Sequence, residues 1–274
     1  MGKILDISHH QVPSAINYDE LAKHVDLVII RTQYGSKTID KHYLTHHAEF
    51  RKRGIPTQAY AWVRGVSIQD MQVEAMDFYK RTKDLNPEVW WLDVEEQSMA
   101  DMRGGVSAYV KALRSCGVKK IGIYIANHLY KSFNLNLSEV DAVWIPHYGK
   151  NNGELNSKPV YPCDIHQYTS VGKLPGYKGN LDLNVLTGSK SLDWFTGNEA
   201  KTMPQSNEGI GILTILDSTV LRKDAVYTAE IIKGLKPGEA YIVHDFKDGW
   251  YNVGGWVAKE HVRFVPRNNV KMTK

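Results

Sequence analysis

The segment Trp90-Trp91-Leu92-Asp93-Val94-Glu95-Glu96 carries the strongest chemical signal in the chain. Side chains alternate across a strand, so Asp93 and Glu95 emerge on the same side of a strand that ends there. Two carboxyl groups side by side suit general acid–base work, because burial and mutual repulsion hold one of them protonated. Glycoside hydrolysis needs such a set: one carboxyl protonates the leaving oxygen and others, ionised, stabilise positive charge. Asp6 and Asp182 hold equivalent positions near the start and end of the same region. A lone Asp-x-Glu is common at solvated strand ends. The adjacent tryptophans and the register of Asp6 and Asp182 lift this one above that background.

These four acids need a scaffold that brings distant segments to one place. From Lys3 to about Leu186 short apolar runs alternate with amphipathic stretches. The strand-like runs are Ile4–Ser8, Leu27–Arg31, Thr57–Val63, Val89–Glu95, Ile121–Ile125, Ala142–Pro146, Asp164–Tyr168 and Leu181–Val185. They are short and rich in Val, Ile, Trp and Tyr, as buried parallel strands are. Helical patterns fall at Tyr18–Lys23, Tyr43–Arg53, Ile68–Lys83 and Met102–Cys116, with Gly54 and Pro56 punctuating the second. Alternation of this kind predicts an α/β fold with a parallel sheet closed into an irregular (β/α)8-type barrel. The gaps after Ile145 and Tyr168 are rich in Gly, Asn, Pro and Lys, so some later helices are expected to be missing. In a parallel barrel, functional groups gather at the C-terminal strand ends. The first and last strands are neighbours, so Asp6 and Asp182 should meet there.

Around residues 197–208 the pattern dissolves into polar residues with Pro204 and Gly197, which reads as a linker. The expected divisions are therefore a barrel over 1–196, a linker over 197–208 and a second domain over 209–274. In the last part short strands are expected at Gly211–Leu216, Ala225–Thr228, Ala240–Phe246, Trp250–Val253 and Trp256–Ala258. Lys236-Pro237-Gly238 and Lys247-Asp248-Gly249 separate them as turns.

Composition excludes several classes. Hydrophobic content of 42% and charged content of 23% are those of an ordinary globular protein. A net charge of +4 leaves no basic stripe for nucleic acid, and no apolar run approaches the ~18 residues of a membrane span. The segment Met1-Gly2-Lys3-Ile4-Leu5-Asp6 enters a strand at once, which leaves no room for a signal peptide. Two cysteines, Cys116 and Cys163, read as reduced core thiols. The pairs His9-His10 and His46-His47 read as structural or surface residues, since no Cys or His partner recurs at a metal-binding spacing. No metal and no cofactor is expected.

The region 3–195 resembles the family 25 glycoside hydrolases, the lysozymes of many phage endolysins. The resemblance rests on Asp6-Ile7-Ser8-His9-His10-Gln11, Val28-Ile29-Ile30-Arg31-Thr32-Gln33-Tyr34-Gly35 and Ala59-Tyr60-Ala61-Trp62. It continues through Trp91-Leu92-Asp93-Val94-Glu95, Ile123-Tyr124 and Trp144-Ile145-Pro146-His147-Tyr148. It ends on His166-Gln167-Tyr168-Thr169 and Gly179-Asn180-Leu181-Asp182-Leu183-Asn184. The order of these segments is more specific than any one of them. The resemblance implies cleavage of the β-1,4 bond between N-acetylmuramic acid and N-acetylglucosamine in bacterial peptidoglycan. Glu95 matches the family's general acid. Asp93 matches the neighbour that orients the substrate's acetamido group or tunes the acid, and Asp6 and Asp182 match the remaining site acids. Tyr34, Tyr60, Trp62, Tyr124, Trp144, Gln167 and Tyr168 are the expected substrate-binding residues. Glu96, an extra acid, and His147 after Pro146 depart from the family's pattern.

The pattern Asp248-Gly249-Trp250-Tyr251-Asn252-Val253-Gly254-Gly255-Trp256-Val257 looks like a bacterial Src-homology-3-like domain, as do Leu221–Ala225 and Ile231–Glu239. That resemblance implies a small all-β barrel that binds the cell wall, with Trp250, Tyr251 and Trp256 as contacts. Joining a binder to a catalyst raises the local concentration of an insoluble substrate. A wall substrate without an export signal fits an endolysin held in the host cytoplasm until released, acting as a monomer. Two rivals remain: a non-catalytic wall-binding protein, against which all four acids count, and another substrate-assisted barrel glycosidase. The latter's family carries a longer acidic run before its Glu, where this chain has Glu88 and Trp91.

Overall fold

The computed structural model describes residues 3–197 and 209–267. The chain divides into two compact units, residues 1–199 and 200–274. The expected linker, apart from Gly197, lies outside the described residues.

The first unit is built on β1 (Lys3–Ile7), β2 (Val25–Tyr34), β3 (Thr38–Ile39), β4 (Thr57–Trp62), β5 (Trp90–Val94), β6 (Ile121–Ile125), β7 (Ala142–Pro146), β8 (Ile165–Leu174) and β9 (Tyr177–Leu186). Eight of them close a barrel in the order β1-β9-β8-β7-β6-β5-β4-β2, with β2 returning to β1 and β3 appended to β2. Pairing is parallel from β1 through β2, β4, β5, β6 and β7 to β8. The last strand departs from the expected all-parallel barrel: β9 is antiparallel to both β8 and β1. The two ten-residue strands leave only Pro175-Gly176 between them, and a parallel crossover needs a dozen residues or more. Gly176 takes φ +96°, and a Cβ there would come within 2.5 Å of the Leu21 backbone nitrogen. The hairpin turn therefore requires glycine.

Four helices match the amphipathic stretches: α1 (Tyr18–Leu21), α2 (Tyr43–Lys52), α3 (Ile68–Thr82) and α4 (Met102–Ser115). Ser67 caps α3 by accepting from the Asp70 N–H, and Asp101 caps α4 by accepting from the Gly104 N–H. Later connections are thinner. After β6 come the one-turn α5 (Tyr130–Phe133) and a 3-10 turn at Leu137–Glu139, and β7 runs to β8 through residues 147–164 without an α-helix. A last short helix, α6 (Leu192–Thr196), follows β9.

Strand alternation sorts the side chains into two sets. Met71, Ala75 and Phe78 of α3 and Val106, Tyr109 and Leu113 of α4 pack against Ala59, Ala61, Leu92 and Ile123 on the outside of the barrel. The opposite parity fills the interior with Ile4, Leu27, Ile29, Tyr60, Trp91, Tyr124, Trp144 and Ile165, closed by Phe195 from α6. Trp91 is the centre of that interior. It lies edge-on to Trp144 at 5.5 Å and stacked on Phe195 at 6.2 Å, and its indole N–H donates to Gln58 Oε1 at 2.5 Å. Gly122 makes room for it, since a Cβ there would sit 2.2 Å from the Trp91 ring.

The second unit corrects the expectation of an Src-homology-3-like barrel. Its strands are β10 (Gly211–Ile215), β11 (Thr219–Arg222), β12 (Ile231–Leu235), β13 (Ala240–Val243), β14 (Asp245–Lys247), β15 (Trp250–Asn252), β16 (Trp256–Ala258) and β17 (Val262–Pro266). They form two open antiparallel sheets, ordered β13-β10-β17 and β12-β11-β16-β15-β14, and neither closes on itself among the described residues. The chain changes sheets at His244, where the expected single strand Ala240–Phe246 divides into β13 and β14. The expected strand Ala225–Thr228 is a turn, held by Val226 N–H donating to Asp224 O and Ala229 N–H to Val226 O. Leu213, Ile215, Leu221, Leu235, Val243, Tyr251, Val257 and Val262 give this unit a core of its own.

Candidate active site

Alternation that puts Trp91 inside the barrel also puts Asp93 and Glu95 inside, one and two layers higher. The same parity brings Asp6 after Ile4 on β1, Arg31 after Ile29 on β2, and Trp62 after Tyr60 on β4. Asp6 and Asp182 are direct cross-strand partners of β1 and β9. The four acids converge on one pocket of about 180 Å³, walled by Tyr60, Trp62, Tyr124, Trp144 and Tyr148. The sequence expectation that they share one mouth agrees with this geometry.

Asp6 is the most constrained of the four. Gln167 Nε2 donates to both its oxygens, at 3.1 and 2.9 Å, and Asn184 Nδ2 donates to Oδ2 at 2.8 Å. Gln167 Oε1 in turn accepts from the hydroxyls of Tyr124 at 3.0 Å and Tyr148 at 2.7 Å. Asn184 Oδ1 accepts from the Trp144 indole N–H at 2.8 Å. This network fixes three aromatic walls and one carboxylate in a single arrangement. Asp93 is buried to 5% exposure, and its Oδ1 has no hydrogen-bond partner among the described residues. A buried acceptor without a donor is costly, so it marks a place where a ligand N–H or O–H would be welcome.

Burial raises the proton affinity of all four acids. Asp6 is pushed well up by burial and then by the charge of Asp182, against the donated hydrogen bonds of Asn184 and Gln167. Asp93 is pushed well up by burial and then by Glu95 and Asp6. Glu95 rises to about 7 through burial and the charge of Glu96, and Asp182 to about 7 through burial and Glu95. Like charges in a desolvated pocket cannot all ionise, so the cluster retains protons near neutrality. A carboxyl that keeps its proton to about pH 7 at the open end of a pocket can act as a general acid.

The expected substrate residues divide. Tyr60, Trp62, Tyr124, Trp144 and Gln167 line the acid pocket. Tyr34 lines an adjoining pocket of about 460 Å³, which shares His10, Arg31 and Trp62 with the first; its ring lies 5.1 Å from that of Trp62. Tyr168 is not brought to the site. It is 2% exposed and packs outside the barrel with Leu5, Val28 and Phe50. Gln167 and Tyr168 are consecutive on β8, so both cannot face inward. In the second unit Trp250 and Tyr251 are buried, at 6% and 9% exposure, and Trp256 is half-buried. Tyr251 stacks on Phe264 at 4.9 Å as part of the core, and Trp250 meets the Tyr227 ring at 4.7 Å.

Four further residues line the pocket beyond those expected from sequence: Ser8, His10, Arg31 and Tyr148. Arg31 was legible from its parity with Ile29. It is held by Nε donating to Asp40 Oδ2 at 3.2 Å, while Asp40 also accepts from the backbone N–H groups of His9 and His42. His10 and Tyr148 lie in loops beyond strand ends, where no periodicity aims a side chain. His46 and His47 fit the structural reading: both are buried, bonded to Tyr18 at 2.7 Å and Thr57 at 2.8 Å. Cys116 and Cys163 are free thiols and only partly buried, with Cys163 packed against the edge of the outer core. Among the described residues no helix is long and apolar enough to cross a membrane.

Glycosyl hydrolases family 25 matches residues 5–177, more than half of the chain. A solved structure of GHIP, a glycosyl hydrolase 25 of Streptococcus pneumoniae, is 37% identical, with a TM-score of 0.68 over 70% of this chain and 89% of that one. The catalytic domain of endolysin ply40, from bacteriophage P40 of Listeria monocytogenes, is 27% identical, with a TM-score of 0.66 over 72% and 98%. A lysozyme from Streptomyces coelicolor shares the fold at 18% identity, with a TM-score of 0.59 over 72% and 97%. No curated protein matches the chain.

Proposed function

The chain belongs to glycosyl hydrolase family 25 and is a glycoside hydrolase, and from that premise we propose that it is a muramidase. Its bond is the β-1,4 link from N-acetylmuramic acid to N-acetylglucosamine in peptidoglycan. The observation that carries this reading is the convergence of Asp6, Asp93, Glu95 and Asp182 on one aromatic-walled pocket.

Glu95 is the general acid. Its carboxyl proton goes to the glycosidic oxygen as the bond from that oxygen to the sugar C1 breaks, and the electron pair leaves with the oxygen. Positive charge then develops on C1 and the ring oxygen. The acetamido carbonyl oxygen of the same sugar meets C1 from the other face, and Asp93 Oδ1, otherwise without a donor, accepts the acetamido N–H. Water later adds to C1 as the bond from C1 to the acetamido oxygen breaks, its electron pair returning to that oxygen, and the water gives a proton to Glu95, which restores the starting state. Asp182 and Asp6 add negative potential where the cation develops. Arg31, Tyr60, Trp62, Tyr124, Trp144 and Tyr148 shape the sugar site.

Digestion of purified walls tests the reaction class. New reducing ends without new free amino groups are expected. Amino groups without reducing ends would mean an amidase or peptidase, and the assignment would fall. Gln167→Leu removes the two hydrogen bonds that Gln167 Nε2 donates to Asp6, leaving that of Asn184, and removes the acceptor of two tyrosines. A hydrogen bond to a charged group is worth roughly 1.5–3 kcal/mol, so kcat should fall by about 10- to 100-fold. Unchanged kcat would remove the Gln167 network from the chemistry.

The second unit supplies wall affinity in this reading, with Trp256 the most accessible of its three expected contact residues. Its separate core supports testing it alone. Residues 205–274 should co-sediment with purified walls, and Trp256→Ala should weaken the pelleting. A fragment that stays in the supernatant would leave this unit without the role.

A further inference from the structure

Glu96 follows the proposed acid directly, yet takes no part in bond cleavage. β5 ends at Val94; Glu95 lines the pocket, while Glu96 stands at its rim with its side chain 32% exposed. Arg64, in the loop after β4, reaches it: Arg64 Nε donates to Glu96 Oε1 at 2.5 Å. That loop is anchored from α3, where both oxygens of the buried Glu74 accept from the Arg64 backbone N–H at 3.2 Å. The Arg64 guanidinium also lies 4.5 Å from the centre of the Tyr34 ring, at the end of β2. Tyr34 abuts Trp62, a wall of the acid pocket. One side chain therefore ties together the ends of β2, β4 and β5.

We infer that Arg64 is a positioning residue: by holding and partly neutralising Glu96 at the rim, it sets how strongly that carboxylate acts on Glu95, and so the pH range in which the acid can donate. The inference rests on Glu95 being the general acid. Glu95 faces Asp93 on its own strand, Asp6 from β1, Asp182 from β9, and the hydroxyls of Tyr124 and Tyr148, with Arg31 and His10 lining the same pocket. Its proton is held first by burial and then by the charge of Glu96, and the same charge also acts on Asp93. Glu96 is therefore the adjustable part of the field, because it sits on the rim and carries its own counter-ion.

The signs follow from Coulomb's law. Removing Glu96 takes a negative charge from beside Glu95, so the acid loses its proton at lower pH. Removing Arg64 leaves Glu96 unopposed, so the acid keeps its proton to higher pH. Both groups are partly solvated, so each shift should be about half a pH unit.

The test is the pH profile of kcat/KM on solubilised glycan strands for wild type, Glu96→Gln, Arg64→Gln, the double variant, Arg64→Lys and Glu95→Gln. The basic limb should move down in Glu96→Gln and up in Arg64→Gln. The double variant should behave as Glu96→Gln, and Arg64→Lys should restore the wild-type limb. A packing role alone would lower kcat without moving the limb in opposite directions. With Glu95→Gln inactive, limbs that coincide or move together would overturn the inference and leave the acid assignment standing. An active Glu95→Gln would overturn both.

Discussion

Glu95→Gln should lower turnover of purified walls by about 10³-fold, within the range a positioned proton donor contributes. The substitution keeps the shape of the side chain and replaces the carboxyl by an amide, which cannot give up a proton as an acid. Wall binding should be unchanged, because the second unit is a separate compact body with its own core. The wild-type pH profile should carry the same signature. As the proposed acid, Glu95 must be protonated and holds its proton to about 7, so activity should fall roughly tenfold per unit above that; it should also fall toward acid pH, as Asp182, itself held to about 7, takes up a proton and loses its negative potential. Co-sedimentation, circular dichroism and kcat on the same preparation separate loss of chemistry from loss of fold. Turnover within tenfold of wild type would remove Glu95 as the acid.

Trp91→Ala should cost the barrel about 3–5 kcal/mol, the range for deleting a large buried aromatic. Trp91 is fully buried, packs on Trp144 and Phe195, and donates to Gln58, which itself donates to the Phe195 carbonyl at 2.5 Å. Truncation leaves Gln58 Oε1 buried without a donor and opens a void that Gly122, lacking a side chain, cannot fill. At roughly 2–4 °C per kcal/mol for a unit of this size, the barrel's Tm should drop by about 10 °C. The residual activity should fall with it, because Trp144 lines the acid pocket from the same contact. A Tm within 2 °C of wild type would mean the interior repacks, and Trp91 would not be the post on which the site stands.

Much of the site was legible because strand parity is strict. Once Asp93 and Glu95 are put on the inside of β5, Trp91 must lie beneath them, and Asp6, Arg31, Tyr60, Tyr124 and Asp182 follow from their own strands. The same rule excludes Tyr168, since Gln167 beside it already faces inward. Motif membership had grouped the two together, and parity separates them. Three things were not legible. Tyr148 and His10 come from loops, where backbone geometry, not period, aims the side chain. The reversal of β9 depends on Pro175-Gly176, whose turn leaves no room for a crossover, while the apolar runs alone suggested two shorter strands with a longer gap. In the second unit the aromatic motif suggests a closed barrel with an aromatic contact surface. Instead Tyr251 enters a core shared by two open sheets, because burying aromatic area in so small a unit stabilises it more than exposing that area would.

Identification of the new sugar ends on digested peptidoglycan tests the proposed reaction most directly. Purified walls are digested, reduced with borohydride and hydrolysed, and the reduced sugars are identified by mass spectrometry. A muramidase cleaves after N-acetylmuramic acid, so muramitol should be the new reduced end and should be absent from the Glu95→Gln digest. Glucosaminitol in its place would show that the other glycosidic bond is cut, and the assignment of muramidase activity to this site would be wrong.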